Sequence, residues 1–75
     1  MTTFSTRLRE LRIERELTQK ELAEQLNTTS DSIYSWEKGR SEPSIAMLGG
    51  LCRALDVSAD YLLGIIGETN TKSFR

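Results

Sequence analysis

The sequence contains no histidine, a single cysteine and a single proline, and these scarcities remove several classes of protein at once. A lone cysteine closes no internal disulfide, and without histidine it has no partner for a zinc site of the usual finger type. Cys52 therefore reads as a small core residue on an apolar helix face. The many Ser, Thr and Asp side chains have no clustered base to activate a nucleophile, and their positions match caps and turns, so an enzyme is not expected. No cofactor, metal or small-molecule ligand is implied. Long apolar runs are missing too. The longest, Ile45 to Leu51 with its glycines, is too short to cross a bilayer, and no basic start leads into a secretory apolar region. The expectation is a soluble, cytoplasmic protein with no membrane partner. No segment alternates with the period of a strand, and there is no internal repeat.

What is present is a series of short helical patterns, enough for one small domain in a chain of 75 residues. Phe4, Leu8 and Leu11 recur at helical spacing and predict a first helix from Phe4 to Arg15, with Leu17 anchoring its exit. Thr18 with Glu21 three residues on forms a capping box, after which Leu22, Ala23 and Leu26 share one face and Asn27 ends the helix. Thr28 and Thr29 supply a turn and a cap for a third helix, Thr29 to Lys38. Pro43 and Ser44 mark a fourth start, with Ile45, Leu48, Cys52 and Leu55 on its apolar face and Leu51 beside them. Ser58 caps a short fifth helix carrying Tyr61, Leu62 and Leu63, which Gly64 stops. The domain is expected to span residues 1–66, followed by a polar, flexible tail over 67–75.

Two short amphipathic helices joined by a tight polar turn, as in Leu17 to Gly39, are the layout of a DNA-reading helix-turn-helix. In the third helix only Ile33 and Trp36 are large and apolar, and they define a narrow buried stripe. Asp31, Tyr34, Ser35 and Lys38 project the other way, offering the polar edge that insertion into a major groove requires. Taken alone, the same pattern also describes a solvated surface helix. The formal net charge of −1 is unlike the basic balance of most nucleic-acid-binding domains. Its distribution matters more: Lys38 and Arg40 bracket Gly39 just after the proposed reading helix, whereas Glu10, Glu14 and Glu24 lie on other segments.

The order and spacing of LRELR (8–12), LTQKELAEQL, SIYSWEKG, EPS (42–44) and LCRALDVSADYLLG (51–64) resemble the phage-repressor type of helix-turn-helix domain. That family includes the lambda repressor and Cro-like proteins and the small XRE regulators. The resemblance implies an all-α, five-helix, lambda-repressor-like fold. It also implies sequence-specific binding of double-stranded DNA by a transcriptional regulator, a repressor working as a homodimer on a palindromic operator. Carried over by position, Ser30, Asp31 and Ser35 match base-contacting positions. Gln19 matches a phosphate contact at a helix N-terminus, with an amide able to brace the reading helix. Ser32 and Tyr34 flank the sugar-phosphate backbone, and Lys38, Gly39 and Arg40 match the loop that grips phosphate beyond the groove. Arg12 and Glu37 correspond to a family ion pair tying the first helix to the reading helix. Glu16 stands where the family usually has Gly or Asn, which predicts a strained or extended turn, and Thr28 replaces a buried aliphatic residue. Gly49 and Gly50 each cost about 1 kcal/mol in a helix relative to Ala.

Ile65 and Ile66 follow the final helix and need a burial site, which the resemblance identifies as a dimer contact. The alternative is that both fold back onto their own core. A rival reading from another class keeps the fold but makes it a protein-interaction module, an antitoxin or anti-repressor partner, with weak DNA binding because of the near-neutral charge and Asp31.

Overall fold

A computed structural model describes residues 3–65, which form five helices and, among the described residues, no strand. They are α1 (Phe4–Glu14), α2 (Gln19–Leu26), α3 (Ser30–Glu37), α4 (Ile45–Leu55) and α5 (Ala59–Leu63). Each opens in the same way. Thr3, Thr18, Thr29, Ser44 and Ser58 take extended backbone conformations, and each hydroxyl accepts the backbone N–H three residues on, at 3.0–3.3 Å. Such a cap satisfies one of the four N–H groups that a helix start leaves unpaired, and is worth about 1 kcal/mol. At α2 the capping box is complete, since the Glu21 carboxylate also accepts the Thr18 N–H at 2.9 Å.

The helices also end alike, each followed by a left-handed residue: Glu16, Asn27, Gly39, Asp56 and Gly64. Arg15, expected as the last residue of α1, is its C-cap, and Glu16 takes φ 59° while Leu17 N–H returns to Arg12 O at 3.1 Å. The turn is closed rather than extended, at the expense of a glutamate in a conformation that crowds its Cβ. Replacing Glu16 by Gly is therefore expected to raise stability by about 0.5–1 kcal/mol in a thermal or urea melt.

The apolar faces meet in one core: Leu8 and Leu11 of α1; Leu22, Ala23 and Leu26 of α2; Ile33 and Trp36 of α3; Leu51, Cys52 and Leu55 of α4; and Tyr61 and Leu62 of α5. Val57, in the turn before α5, is fully buried with them. Burial also pushes the Cys52 thiol above its ordinary pKa, outweighing the lowering effect of Arg53 and disfavouring the thiolate. Ile45 corrects the expectation for α4. It is 91 % exposed because it is the first residue of the helix, where its side chain leans outward past the last neighbour. The packed face of α4 therefore begins with Met47 and Leu48, and Leu48 also lines a shallow cavity with Phe4, Pro43 and Leu63. The two α4 glycines differ. A Cβ on Gly50 would lie 3.3 Å from Leu26 Cγ, so this glycine lets α2 and α4 approach closely, whereas one on Gly49 would meet only the Arg53 guanidinium at 3.6 Å.

Two arginines absent from the sequence-based core complete the scaffold. Arg7 is buried, with its guanidinium carbon 4.5 Å from the Tyr61 ring centre, joining α1 to α5. Arg15 donates from Nε (3.0 Å) and Nη2 (2.6 Å) to Leu55 O, supplying an unpaired carbonyl at the end of α4 with a cation. Among the described residues no helix is long and apolar enough to cross a membrane.

Candidate nucleic-acid interface

The turn between α2 and α3 is three residues long, and its geometry follows from its side chains. Asn27 adopts the left-handed conformation (φ 58°, ψ 44°) that Asn tolerates, and Thr28 N–H returns to Ala23 O at 2.9 Å. Thr29 then caps α3. Its Oγ1 lies 3.2 Å from Ser32 N and 3.0 Å from Ser32 Oγ, so the Ser32 hydroxyl is part of the cap. The helix runs from Ser30 to Glu37, with the expected terminal residues Thr29 and Lys38 as its caps.

Ile33 (0 % exposed) and Trp36 (6 %) hold α3 to the core, while Ser30, Asp31, Tyr34 and Lys38 lie exposed. Ser35 is half-buried, and its Oγ accepts a hydrogen bond from Ser41 Oγ at 2.9 Å, which ties the loop after α3 to the helix. The same loop is fixed through its backbone: Lys38 N–H donates to Tyr34 O (2.9 Å), Gly39 N–H to Trp36 O (3.2 Å), and Arg40 N–H to Ser35 O (2.9 Å). Gly39 takes φ 74°, a conformation that favours glycine, whereas a Cβ there would make only an ordinary 3.4 Å contact with Ser5 Oγ.

The far end of α3 is clamped by one carboxylate. Glu37 Oε2 accepts from Arg12 Nε at 2.6 Å, and Oε1 accepts from Arg12 Nη2 and Gln19 Nε2, each at 3.2 Å. Arg12 Nη1 donates to Leu17 O at 2.8 Å. The two side chains are 13 % and 3 % exposed, so the pair lies largely out of water, which only such complete hydrogen bonding makes tolerable. Gln19, at the first position of α2, thus braces α3 through its amide nitrogen. The structure brings Arg12, Gln19 and Glu37 together at the C-terminal end of α3, and gathers Tyr34, Lys38 and Arg40 at the loop that follows it. Ile65 is 69 % exposed; Ile66 and the expected tail lie outside the described residues.

The Ser35–Ser41 bond and the shared position of Lys38 and Arg40 over the Tyr34 ring, at 5.6 and 5.5 Å from its centre, are not among the features expected from the sequence. The Tyr34–Lys38 half was visible as an aromatic and a cation four residues apart on one helix. Arg40 joins them only because Gly39 reverses the chain.

Residues 8–62 match the helix-turn-helix family HTH_3. The chain is 39 % identical over 72 residues to an uncharacterised HTH-type transcriptional regulator of Bacillus subtilis, YqaE, covering 96 % of this chain and 60 % of that protein. It is 33 % identical over 75 residues to the HTH-type transcriptional activator BcrR of Enterococcus faecalis, covering 93 % of this chain and 37 % of BcrR. The chain thus spans three-fifths or less of the length of either regulator. Among solved structures, the P22 c2 repressor in complex with a synthetic operator superposes with a TM-score of 0.81 at 30 % identity, over 84 % of this chain and 96 % of that one. The chain belongs to the helix-turn-helix family, and its five helices form a lambda-repressor-like DNA-binding domain of the kind found in transcriptional regulators.

Proposed function

We propose that this domain binds double-stranded DNA sequence-specifically, with α3 and its caps, residues 29–38, in the major groove, and that it represses transcription as a homodimer on a palindromic operator. The observation that carries the reading is the division of α3: Ile33 and Trp36 are sunk in the core, while an exposed polar edge ends in two cations. On this reading Ser30, Asp31 and Ser35 face base edges, with Asp31 accepting a hydrogen bond from a cytosine amino group. Gln19, Ser32, Tyr34 and the Lys38–Gly39–Arg40 loop lie along the sugar-phosphate backbone and set register. Support comes from the similarity to the P22 c2 repressor, whose solved structure holds an operator. A two-fold contact through Ile65 and Ile66 would place two reading helices about one DNA turn, ~34 Å, apart. A cytoplasmic location follows from the same role.

Selection of bound sites from random DNA, followed by salt titration, tests this. The expected result is a two-fold-related site, preferred over mixed-sequence DNA at every salt concentration, with affinity falling steeply as salt rises. Arg40→Ala should weaken all sequences about equally and lower the salt slope by about one. Asp31→Asn should alter preference at one symmetric pair of positions, by about 1–3 kcal/mol for each discriminating contact. No selected sequence, with no salt-dependent binding, would leave the protein-interaction module as the function.

A further inference from the structure

Lys38 and Arg40 are like charges two residues apart, and among the described residues no carboxylate lies within ion-pair distance of either. Left to themselves they would spread into solvent. Instead both sit over one ring: Lys38 Nζ is 5.6 Å and Arg40 Cζ 5.5 Å from the centre of Tyr34, which is itself 40 % exposed. Both distances are within the range in which the negative face of an aromatic ring attracts a cation. The backbone directs them there. Lys38 lies one helical turn after Tyr34, and the left-handed Gly39 with the Arg40 N–H to Ser35 O bond folds Arg40 back toward the same turn. Ser41 Oγ on Ser35 Oγ then holds the next residue of the loop.

We infer that Tyr34 is a positioning residue, whose ring rather than hydroxyl gathers Lys38 and Arg40 into a single grip for the phosphodiester backbone. This rests on the DNA-binding reading above and deepens it: Tyr34, placed there along the sugar-phosphate backbone, serves the phosphate contact chiefly by holding two other side chains. The ring offsets part of the repulsion between the cations and limits their rotamer freedom before DNA arrives, so less order has to be imposed on binding. Because the grip falls on the backbone, it raises affinity for every sequence alike.

The test compares Tyr34→Phe and Tyr34→Leu with the unaltered chain, by anisotropy of a labelled mixed-sequence duplex and of the selected site over a range of salt. Ring-current shifts of the Lys38 and Arg40 side-chain protons are read in the absence of DNA, and thermal melts establish that both variants fold. Phe should keep the ring-current shifts and bind within about twofold of the unaltered chain. Leu should lose the shifts and weaken both duplexes by about three- to tenfold, with a smaller salt slope and unchanged base preference. Adding Arg40→Ala to Tyr34→Leu should then cost less than Arg40→Ala does alone, since the two act as a unit. Phe as damaging as Leu would place the hydroxyl, not the ring, on the phosphate and overturn the proposal; so would Leu binding like the unaltered chain. If the unaltered chain binds neither duplex, the DNA-binding reading itself fails and the grip has no ligand, an outcome separate from a silent Tyr34.

Discussion

Arg12→Ala is expected to cost about 3–5 kcal/mol in urea denaturation, a large share of the roughly 4–11 kcal/mol expected for a chain of this length. The reason is what it leaves behind. Glu37 is 3 % exposed, and of its three N–H donors only Gln19 Nε2 would remain, at 3.2 Å. A nearly dehydrated carboxylate with one neutral donor is far less stable than one facing a bidentate guanidinium. Glu37→Ala strands the arginine instead, whose Nη1 keeps Leu17 O and whose partial exposure softens the loss. The double variant should therefore lose less than the sum of the two, by more than about 1 kcal/mol. Additivity within about 0.5 kcal/mol would show that the two side chains act independently.

Trp36→Ala should be nearly as severe, at about 3–5 kcal/mol, because it removes the largest side chain on the buried stripe of α3. Its indole is 6 % exposed and packs in the core with Leu8, Leu22 and Ile33. The fluorescence of the single tryptophan should accordingly lie toward the blue in the free protein and change little when DNA binds. Stability within about 1 kcal/mol of the unaltered chain, or strong quenching by a duplex, would instead make Trp36 a stacking residue on the exposed side.

The features legible in the sequence are those written by near neighbours. Thr18, Thr29, Ser44 and Ser58 each stand directly before the helix they cap, and the left-handed closures at Asn27 and Gly64 use residues that announce them. The stripe of Ile33 and Trp36 follows from helical spacing alone. Periodicity, however, assigns a residue to a face without saying how far the neighbouring helices extend, which is why it puts Ile45 on the apolar face although that side chain lies in solvent. Nor does it pair distant polar groups. Arg15 reaches a carbonyl 40 residues away, and Arg7 stacks on Tyr61, through side chains that look like ordinary surface charges on α1. The pairing of Arg12 with Glu37 is legible only through the resemblance of the surrounding motifs to a family in which those positions are paired. The gathering of Tyr34, Lys38 and Arg40 needed the reversal at Gly39, a three-dimensional fact that charge counting along the chain does not contain.

The Glu37 carboxylate also bears on the thermodynamics of whatever meets α3. One end of that helix is fastened by Thr29 and the other by a carboxylate shared with α1 and α2, so the segment has few alternative conformations to surrender. A recognition surface carried on a loose loop loses that conformational entropy at the moment of association, whereas here it was lost when the chain folded. On the proposed function, even short serine side chains can then contribute nearly their whole interaction to affinity, and encounter should resemble the docking of a rigid body, with rates set by orientation rather than by rearrangement.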